Sequence, residues 1–163
     1  MRFEFSQRFA YPVEAVERTL LDEGFITHMA TLPKLGAPQV LSRDESGAVV
    51  TLRVRYAFVG DVSAAVRRVV DPARLTWVEL STTDTSTHRA TFRILPDNYA
   101  RLLRCEGTYE LDASGAGSVR TARGEVRVNV PLAGSKVERV IVSGMGEHAQ
   151  SEADLVEAWL AGR

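Results

Sequence analysis

The chain has 163 residues, a length that fits one domain, which we place at residues 1–163. Apolar residues make up 45% and charged residues 25% of the sequence, and this composition excludes a disordered chain, a collagen-like chain and a disulfide-stapled scaffold. The 20 basic and 21 acidic residues give a formal net charge of −1, which argues against a dedicated nucleic-acid-binding protein.

The cysteine content and the hydropathy predict the cellular location. Cys105 is the only cysteine, so no intramolecular disulfide forms, and this favours a reducing compartment. Residues 1–5 alternate in polarity and lack the apolar segment of a signal peptide. No stretch of about 18 apolar residues is present, so we expect no integral membrane association. We therefore expect a cytoplasmic protein.

The N-terminal part of the chain predicts one strand followed by two short helices. Residues 2–9 alternate with a period of two, with their phenylalanines on one face, which is typical of a half-buried strand. Pro12 suits the first position of a helix that we expect to end at Gly24. A second short helix begins near Phe25 and ends before Pro33.

Six further strands follow in the middle of the sequence. They are predicted over residues 38–43, 48–58, 74–82, 87–95, 101–112 and 118–130. The first two form a hairpin through the turn residues 44–47. Residues 61–70 have apolar positions at helical spacing after Asp61, a possible N-cap, and therefore predict a short helix. A strand over residues 65–70 is the alternative.

A helix of about 25 residues is predicted at the C-terminal end, from Ser135 to Leu160. Ser135 and Glu138 have the spacing of a capping box, in which each side chain bonds to an unpaired backbone N–H group. Gly144 and Gly146 each cost about 1 kcal/mol relative to alanine inside a helix. Their presence indicates a close approach of the helix backbone to the sheet or to a ligand, or a local kink.

This order of elements predicts an α+β fold, in which a curved antiparallel sheet of about seven strands wraps around the long C-terminal helix. It resembles the START-like helix-grip (SRPBCC) superfamily of lipid-transfer domains and polyketide cyclases. Residues 124–139, a valine-rich strand followed by Val-Pro-Leu, Gly, Lys and Glu-Arg, resemble the junction of the last strand and helix in a mainly actinobacterial family of that superfamily. Trp159 near the end of the chain fits the same family. The resemblance implies one START-like domain with a cavity between sheet and helix, and it implies neither a ligand nor a catalytic residue.

The first functional hypothesis is that this cavity binds or carries a small hydrophobic molecule, its expected partner. The candidate ligand-binding residues are those expected to point inward or to lie at the mouth. They are Phe25, Met29, Tyr56, Phe58, Trp77, Phe92, Ile94, Tyr109, Ile141, Met145 and His148. In the alternative interpretation the same side chains fill the space and leave no cavity.

The second hypothesis is an enzyme of the cyclase, aromatase or dehydratase type. Tyr56, Glu79, Tyr109 or His148 would then act as acid or base. The sequence leans away from catalysis, and we assign no catalytic residue. His28 and His88 have no partner that the sequence reveals, so we expect them to be packing or surface residues. Cys105 lies in mid-strand without a neighbouring base, so we expect an inert thiol.

No metal or cofactor is expected. The three histidines and one cysteine lack the spacing of metal ligands, and no nucleotide-binding glycine motif is present.

The third hypothesis is a protein-interaction module that uses the outer face of the sheet and binds no small molecule. That face is predicted to be rich in arginine and to carry a few glutamates. The arginines are Arg53, Arg55, Arg89, Arg93, Arg104, Arg123 and Arg127. A solvated face with cross-strand Arg–Glu pairs is the simpler interpretation. The oligomeric state is not predicted by the sequence.

Overall fold

A computed structural model of the protein describes residues 1–68 and 70–163. Its strands are β1 (Arg2–Phe9), β2 (Gln39–Ser46), β3 (Val49–Ala57), β4 (Thr76–Asp84), β5 (Arg89–Pro96), β6 (Leu103–Ser114) and β7 (Gly117–Val128). Its α-helices are α1 (Val13–Leu20), α2 (Glu23–His28), α3 (Ala64–Arg67) and α4 (Gly134–Ala161). All seven strands pair antiparallel in the order β1-β7-β6-β5-β4-β3-β2. The predicted helix-grip fold is thereby confirmed.

The boundary between the first two helices differs from the prediction. Helix α1 ends at Leu20, four residues before Gly24, because a new helix begins there with its own cap. The Asp22 carboxylate accepts a hydrogen bond of 2.8 Å from the backbone N–H of Phe25, as expected of an N-cap residue. Gly24 therefore lies inside α2 rather than at the end of α1.

The segment 61–70 contains a single helical turn, α3. Ser63 caps it by accepting from the backbone N–H of Val66, so the prediction of Asp61 as the cap was wrong. Asp61 instead lies 3.9 Å from the guanidinium group of Arg67. The strand alternative is not adopted by the described residues of this segment, and Val69 lies outside them.

The predicted capping box of the last helix is not formed. Helix α4 begins at Gly134 after Ala133, which makes no side-chain cap. Glu138 turns away from the helix, and its carboxylate accepts a 2.9 Å hydrogen bond from the backbone N–H of Val128. Because that bond satisfies the last residue of β7, Glu138 joins the end of the sheet to the start of the helix.

Helix α4 packs along β1 and β7 on one side of the concave face. A Cβ atom on Gly146 would lie 3.1 Å from the ring of Phe5, so of the alternatives that the sequence left open, this glycine fits the close approach to the sheet. At Gly144 a Cβ atom would meet nothing within 4 Å. The concave face of β3 to β5 thus lies beside α4 rather than directly beneath it.

Two apolar clusters form the core. The larger one joins α1, α2 and β3 to the end of α4 and includes Val16, Phe25 and Val156. The second joins β1, β5, β6 and β7, where Phe3 and Phe92 pack over paired glycines of β6 and β7. A Cβ atom on either glycine would come within 3 Å of one of these rings, so side chains are excluded there. The concave surface between the clusters carries the polar residues described next.

Candidate functional site

A cavity of about 90 Å³ lies between the concave face of the sheet and helices α1 and α2. Strand alternation places the side chains of β3, β4, β6 and β7 in its wall, and α2 contributes apolar side chains from the opposite side. Its acidic and basic lining residues are Glu17, Glu79, His88, Arg89, Arg120 and Glu152. Its hydroxyl groups belong to Tyr56, Ser81, Thr83 and Tyr109. The wall is therefore far more polar than a simple hydrophobic pocket.

Four of the eleven predicted ligand-binding residues line this cavity. They are Phe25, Met29, Tyr56 and Tyr109. Phe25 and Met29 come from α2 and the 3-10 turn that follows it, and the two tyrosines come from β3 and β6. Of the four acid–base candidates, Tyr56, Glu79 and Tyr109 line the cavity as well.

The other seven predicted residues lie around the cavity or in the second apolar cluster. Phe92, Ile94, Ile141 and Met145 belong to that cluster. Trp77 stacks on Tyr56, with 5.9 Å between ring centroids. Phe58 forms an isolated bridge with Leu35 beyond the end of β3. His148 lies one helical turn before Glu152, close enough to act on its charge.

One group of polar side chains, Gln7, Arg120 and Glu152, is bonded internally, and we call it the anchored triad. The pairing of β1 with β7 places Gln7 opposite Arg120, and Glu152 reaches them from α4. The Arg120 Nη1 atom donates to Glu152 Oε2 at 2.7 Å and to Gln7 Oε1 at 3.2 Å. Gln7 Nε2 donates to Glu152 at 3.2 Å and to the backbone carbonyl of Ala149 at 2.6 Å. The triad therefore joins the last helix to both strands beneath it.

The electrostatics of the triad keep it charged. Burial alone would raise the pKa of Glu152, but Arg120 and His148 outweigh burial and hold that pKa below its usual range. Burial likewise opposes the charge on Arg120, and the Glu152 carboxylate more than compensates, so the pKa of the guanidinium is raised. The two groups form a buried ion pair that is neutral overall.

Arg120 also contacts an aromatic ring. Its guanidinium carbon lies 3.8 Å from the ring centroid of Tyr109, a cation–π arrangement. Tyr109 in turn stacks on Phe92 with ring centroids 4.6 Å apart. These contacts hold the Tyr109 ring in place while its hydroxyl group remains available.

A second group, Tyr56, Glu79 and Tyr109, lacks such bonds, and we call it the open trio. Glu79 lies in mid-strand on β4 between Val54 of β3 and Ile94 of β5, on the inward face. Among the described residues, none donates a hydrogen bond to the Glu79 carboxylate, and neither tyrosine hydroxyl has a partner. No described buried side-chain nitrogen or oxygen lacks a hydrogen-bond partner, so the unbonded oxygens of the trio are accessible and face the open space of the cavity.

The surroundings of the open trio favour its uncharged forms. Burial, followed by the nearby Glu152 carboxylate, raises the pKa of Glu79 to about 7, although Arg120 opposes the rise. Burial, followed by the charge of Glu79, raises the pKa of both tyrosines well above their usual range. Near neutral pH, both the protonated and the ionised form of Glu79 are therefore populated.

A contact between His88 and Glu17 at the rim of the cavity was not foreseen. The Nδ1 atom of His88, in the turn between β4 and β5, lies 3.0 Å from the carboxylate of Glu17 on α1. Burial raises the pKa of Glu17 above its usual range. His88 is thus not a mere packing residue, and periodicity could not reveal this pair because its members are 71 positions apart. His28 does pack as expected, against Trp159 at 5.2 Å between ring centroids.

Arg120 is the main functional residue that the sequence analysis missed. The signal was present, because Arg120 shares its parity with Ala122 and Val126, two apolar residues on one face of the last strand. Extending that alternation by one pair of residues puts Arg120 inside, opposite the inward Gln7. An arginine on an inward face, with Glu152 on the facing helix, predicts a buried ion pair.

The outer face of the sheet carries exposed ion pairs. Arg123 contacts both Glu4 and Glu110 at 2.8 Å, and Arg93 lies 3.7 Å from Glu106 on the neighbouring strand. These contacts agree with a solvated face of cross-strand pairs.

Two further properties concern metals and membranes. Across residues 1–68 and 70–163, no three His, Cys, Asp or Glu side chains come together as metal ligands. In the same part of the chain, no helix has both the length and the apolar character needed to cross a membrane.

Comparison with solved structures gives the same fold over nearly the whole chain. A protein of Thermus thermophilus, TTHA0849, is 18% identical, with a TM-score of 0.70 over 97% of this chain and 95% of its own. The Zhui aromatase/cyclase of a Streptomyces species is 17% identical, with a TM-score of 0.63 over 100% and 96%. Norcoclaurine synthase of Thalictrum flavum is 14% identical, with a TM-score of 0.67 over 100% and 87%. At these identities the likeness concerns the helix-grip fold.

Sequence comparison places the chain in a family. No curated protein sequence matches it. The model of one protein family, described as "Protein of unknown function (DUF2505)", matches residues 4–160. Because this match spans almost the whole chain, the protein belongs to that family.

Proposed function

We propose that the protein binds a small molecule with an apolar body in the cavity between the sheet and helices α1 and α2. One observation carries this proposal. The open trio presents a carboxyl group and two phenol hydroxyls that have no partner in the described fold and face the cavity. Polar groups inside a protein are normally bonded, so such a set is expected where a ligand or water completes the bonding.

The size and walls of the cavity limit the ligand. About 90 Å³ is well below the roughly 300–1,000 Å³ of sites for drug-sized molecules, so the space suits a single small ring or the end of a longer chain. Phe25, Ile26 and Met29 supply the apolar side of the wall. The cavity therefore suits a molecule whose apolar part packs on α2 and whose polar group meets the open trio.

Native mass spectrometry of the purified protein tests this proposal, followed by denaturation and extraction of any bound molecule. We expect a reproducible added mass that is lost when the cavity is filled by Ala90→Leu, because Ala90 lies in its wall. Ala113→Leu, at an exposed position near the end of β6, is the matched control and should keep the added mass. A bare protein mass, with no binding of small aromatic probes, would contradict the proposal.

A second candidate function is acid–base catalysis of the cyclase, aromatase or dehydratase type. The observation in its favour is the pKa of Glu79, raised to about 7 beside two phenol groups, since a group that titrates near neutral pH is suited to proton transfer. Two solved proteins of the same fold, an aromatase/cyclase and a synthase, support this candidate at the level of the fold.

Turnover of the extracted ligand, or of its close analogues, separates the two candidates. An enzyme would convert the compound, and Glu79→Gln would abolish conversion while the compound still binds. If the wild type and the Glu79→Gln variant both bind the compound and neither converts it, binding without catalysis is the function that remains.

A further inference from the structure

The carboxyl groups of the cavity wall contact basic side chains, with one exception. The charge of Arg120 is neutralised by the Glu152 carboxylate at 2.7 Å. Gln7 accepts a hydrogen bond from Arg120 and donates one to Glu152. Arg89 turns outward and bonds to Asp112 at 2.8 Å. These two arginines are therefore already compensated, and neither offers a free positive charge to a ligand.

The rim follows the same pattern. Glu17 and His88 contact each other at 3.0 Å across the mouth. Of the three carboxyl side chains that line the cavity, Glu17, Glu79 and Glu152, Glu79 is the one without a basic side chain in bonding contact in the described structure. An ionised carboxylate accepts hydrogen bonds and donates none, so its natural partner is a cationic N–H donor.

The aromatic lining fits the same kind of ligand. Tyr56 and Tyr109 flank Glu79 closely enough for its charge to act on both phenols. Aromatic rings attract cations, and the Tyr109 ring already contacts one, the guanidinium group of Arg120, at 3.8 Å from the ring centroid. Phe25 and Met29 provide the apolar surface for the remainder of the molecule.

We propose that the ligand of this cavity is a monocation, a protonated amine on a small apolar body, whose ammonium group pairs with the Glu79 carboxylate. This inference rests on the proposed ligand-binding function and names the class of ligand. The anchored triad holds the wall of the cavity in place. The Glu79 carboxylate favours an amine over a neutral or anionic molecule of similar shape.

The pairing makes affinity depend on pH. The titratable groups around Glu79 are Arg120 on β7, Glu152 on α4, Tyr56 on β3, Tyr109 and Cys105 on β6 and, at the rim, Glu17 on α1 and His88. Near neutral pH the arginine and Glu152 stay charged, and the phenols and the thiol stay neutral. Only protein molecules with an ionised Glu79 can therefore pair with an ammonium group. Because the pKa of Glu79 is about 7, their fraction rises with pH around neutrality, and the affinity for an amine rises with it.

The experiment uses three probes of similar shape: benzylamine, benzyl alcohol and benzoate. Their affinities are measured by calorimetry at pH 8 and pH 6 on the full chain. We expect benzylamine to bind about tenfold or more tightly than benzyl alcohol at pH 8. Its Kd should rise about tenfold at pH 6, because the ionised fraction of Glu79 falls by that factor.

Two variants locate the effect. Glu79→Gln keeps the shape of the side chain and leaves His88, another titratable side chain of the cavity, unchanged. This variant should lose both the preference for the amine and the pH dependence of amine binding, while benzyl alcohol still binds. Glu125→Gln removes a carboxylate of the outer face that contacts Arg127 at 3.2 Å, and it should change neither.

Two results would overturn the inference. If wild-type protein binds benzyl alcohol or benzoate as tightly as benzylamine, or if Glu79→Gln keeps the amine preference, the ammonium pairing is wrong and the binding function stands. If no probe binds and the purified protein carries no added mass, the binding function fails as well.

Discussion

The anchored triad and the open trio lie on the wall of one cavity, yet their polar atoms are treated differently by the fold. In the triad each member bonds to the others, and Gln7 also reaches the backbone of α4. In the trio the carboxyl group of Glu79 and the two phenol hydroxyls have no partner in the described residues. The difference separates groups that hold the structure from groups that are free to meet a ligand.

The largest effect is expected from breaking the triad with Arg120→Met. The change leaves Glu152 charged and without its partner in a site where its side chain is 15% exposed, which should cost about 3–5 kcal/mol of unfolding free energy. Arg120→Met combined with Glu152→Gln should recover much of that loss. Urea denaturation of the wild type, the single variant and the double variant measures their free energies of unfolding.

Arg123→Met is the matched control for that experiment. Arg123 pairs with two glutamates on the outer face, but its side chain is 48% exposed, so the loss should stay below about 1 kcal/mol. Equal losses at Arg120 and Arg123 would contradict the structural role of the triad.

Glu79→Gln tests the trio through the pH dependence of stability. Because the folded-state pKa of Glu79 is raised to about 7, the folded protein holds this proton more tightly than the unfolded chain does. Its contribution is complete below about pH 4.5 and is lost as pH rises to 7, so wild type should lose up to about 3 kcal/mol relative to Glu79→Gln between pH 5 and pH 8. Parallel stability curves for the two proteins would show that Glu79 is not buried as described.

A comparison of one hydrogen-bonding side chain from each group gives a smaller effect. Gln7→Leu should cost about 1–3 kcal/mol, because it removes bonds to Arg120, Glu152 and a backbone carbonyl that stay buried. Tyr109→Phe should change stability by less than about 0.5 kcal/mol, since the hydroxyl bonds to nothing in the described fold. A large loss for Tyr109→Phe would assign that hydroxyl a structural role.

The smallest effect is expected from the two glycines of α4, which lie one to two turns before Ala149, the residue whose carbonyl accepts a hydrogen bond from Gln7. Gly144→Ala should stabilise the protein by up to about 1 kcal/mol, since a methyl group there meets open space. Gly146→Ala should gain less or lose stability, because its Cβ would lie 3.1 Å from Phe5. Thermal denaturation of the two variants checks this order, and the reverse order would contradict the packing of α4 on β1.

Much of the fold was predictable because strand alternation is a local property. The strands predicted at residues 2–9 and 48–58 follow directly from periodicity and agree with β1 and β3. Helix caps were less predictable, because Glu138 had two competing partners and satisfied the end of β7 rather than its own helix. A cap motif shows which bonds are available, and tertiary packing decides between them.

The site was predictable in part for the same reason. Tyr56 and Tyr109 follow from alternation, and alternation could also have shown that Arg120 points inward. Glu17 and His88 meet at the cavity because α1 lies over the distant turn between β4 and β5. No local sequence pattern encodes that arrangement. The position of α4 beside β1 and β7 likewise kept Ile141 and Met145 in the second cluster.

The single cysteine gives the chain an internal reporter of opening. Cys105 is buried in the second apolar cluster, where burial raises the pKa of its thiol to about 12. Only a thiolate reacts readily with iodoacetamide, so the native protein should resist alkylation until that part of the sheet opens. The alkylation rate then measures how often the sheet around β6 separates, without any added label. The opening of this part of the sheet can therefore be compared with and without an added ligand by mass spectrometry alone.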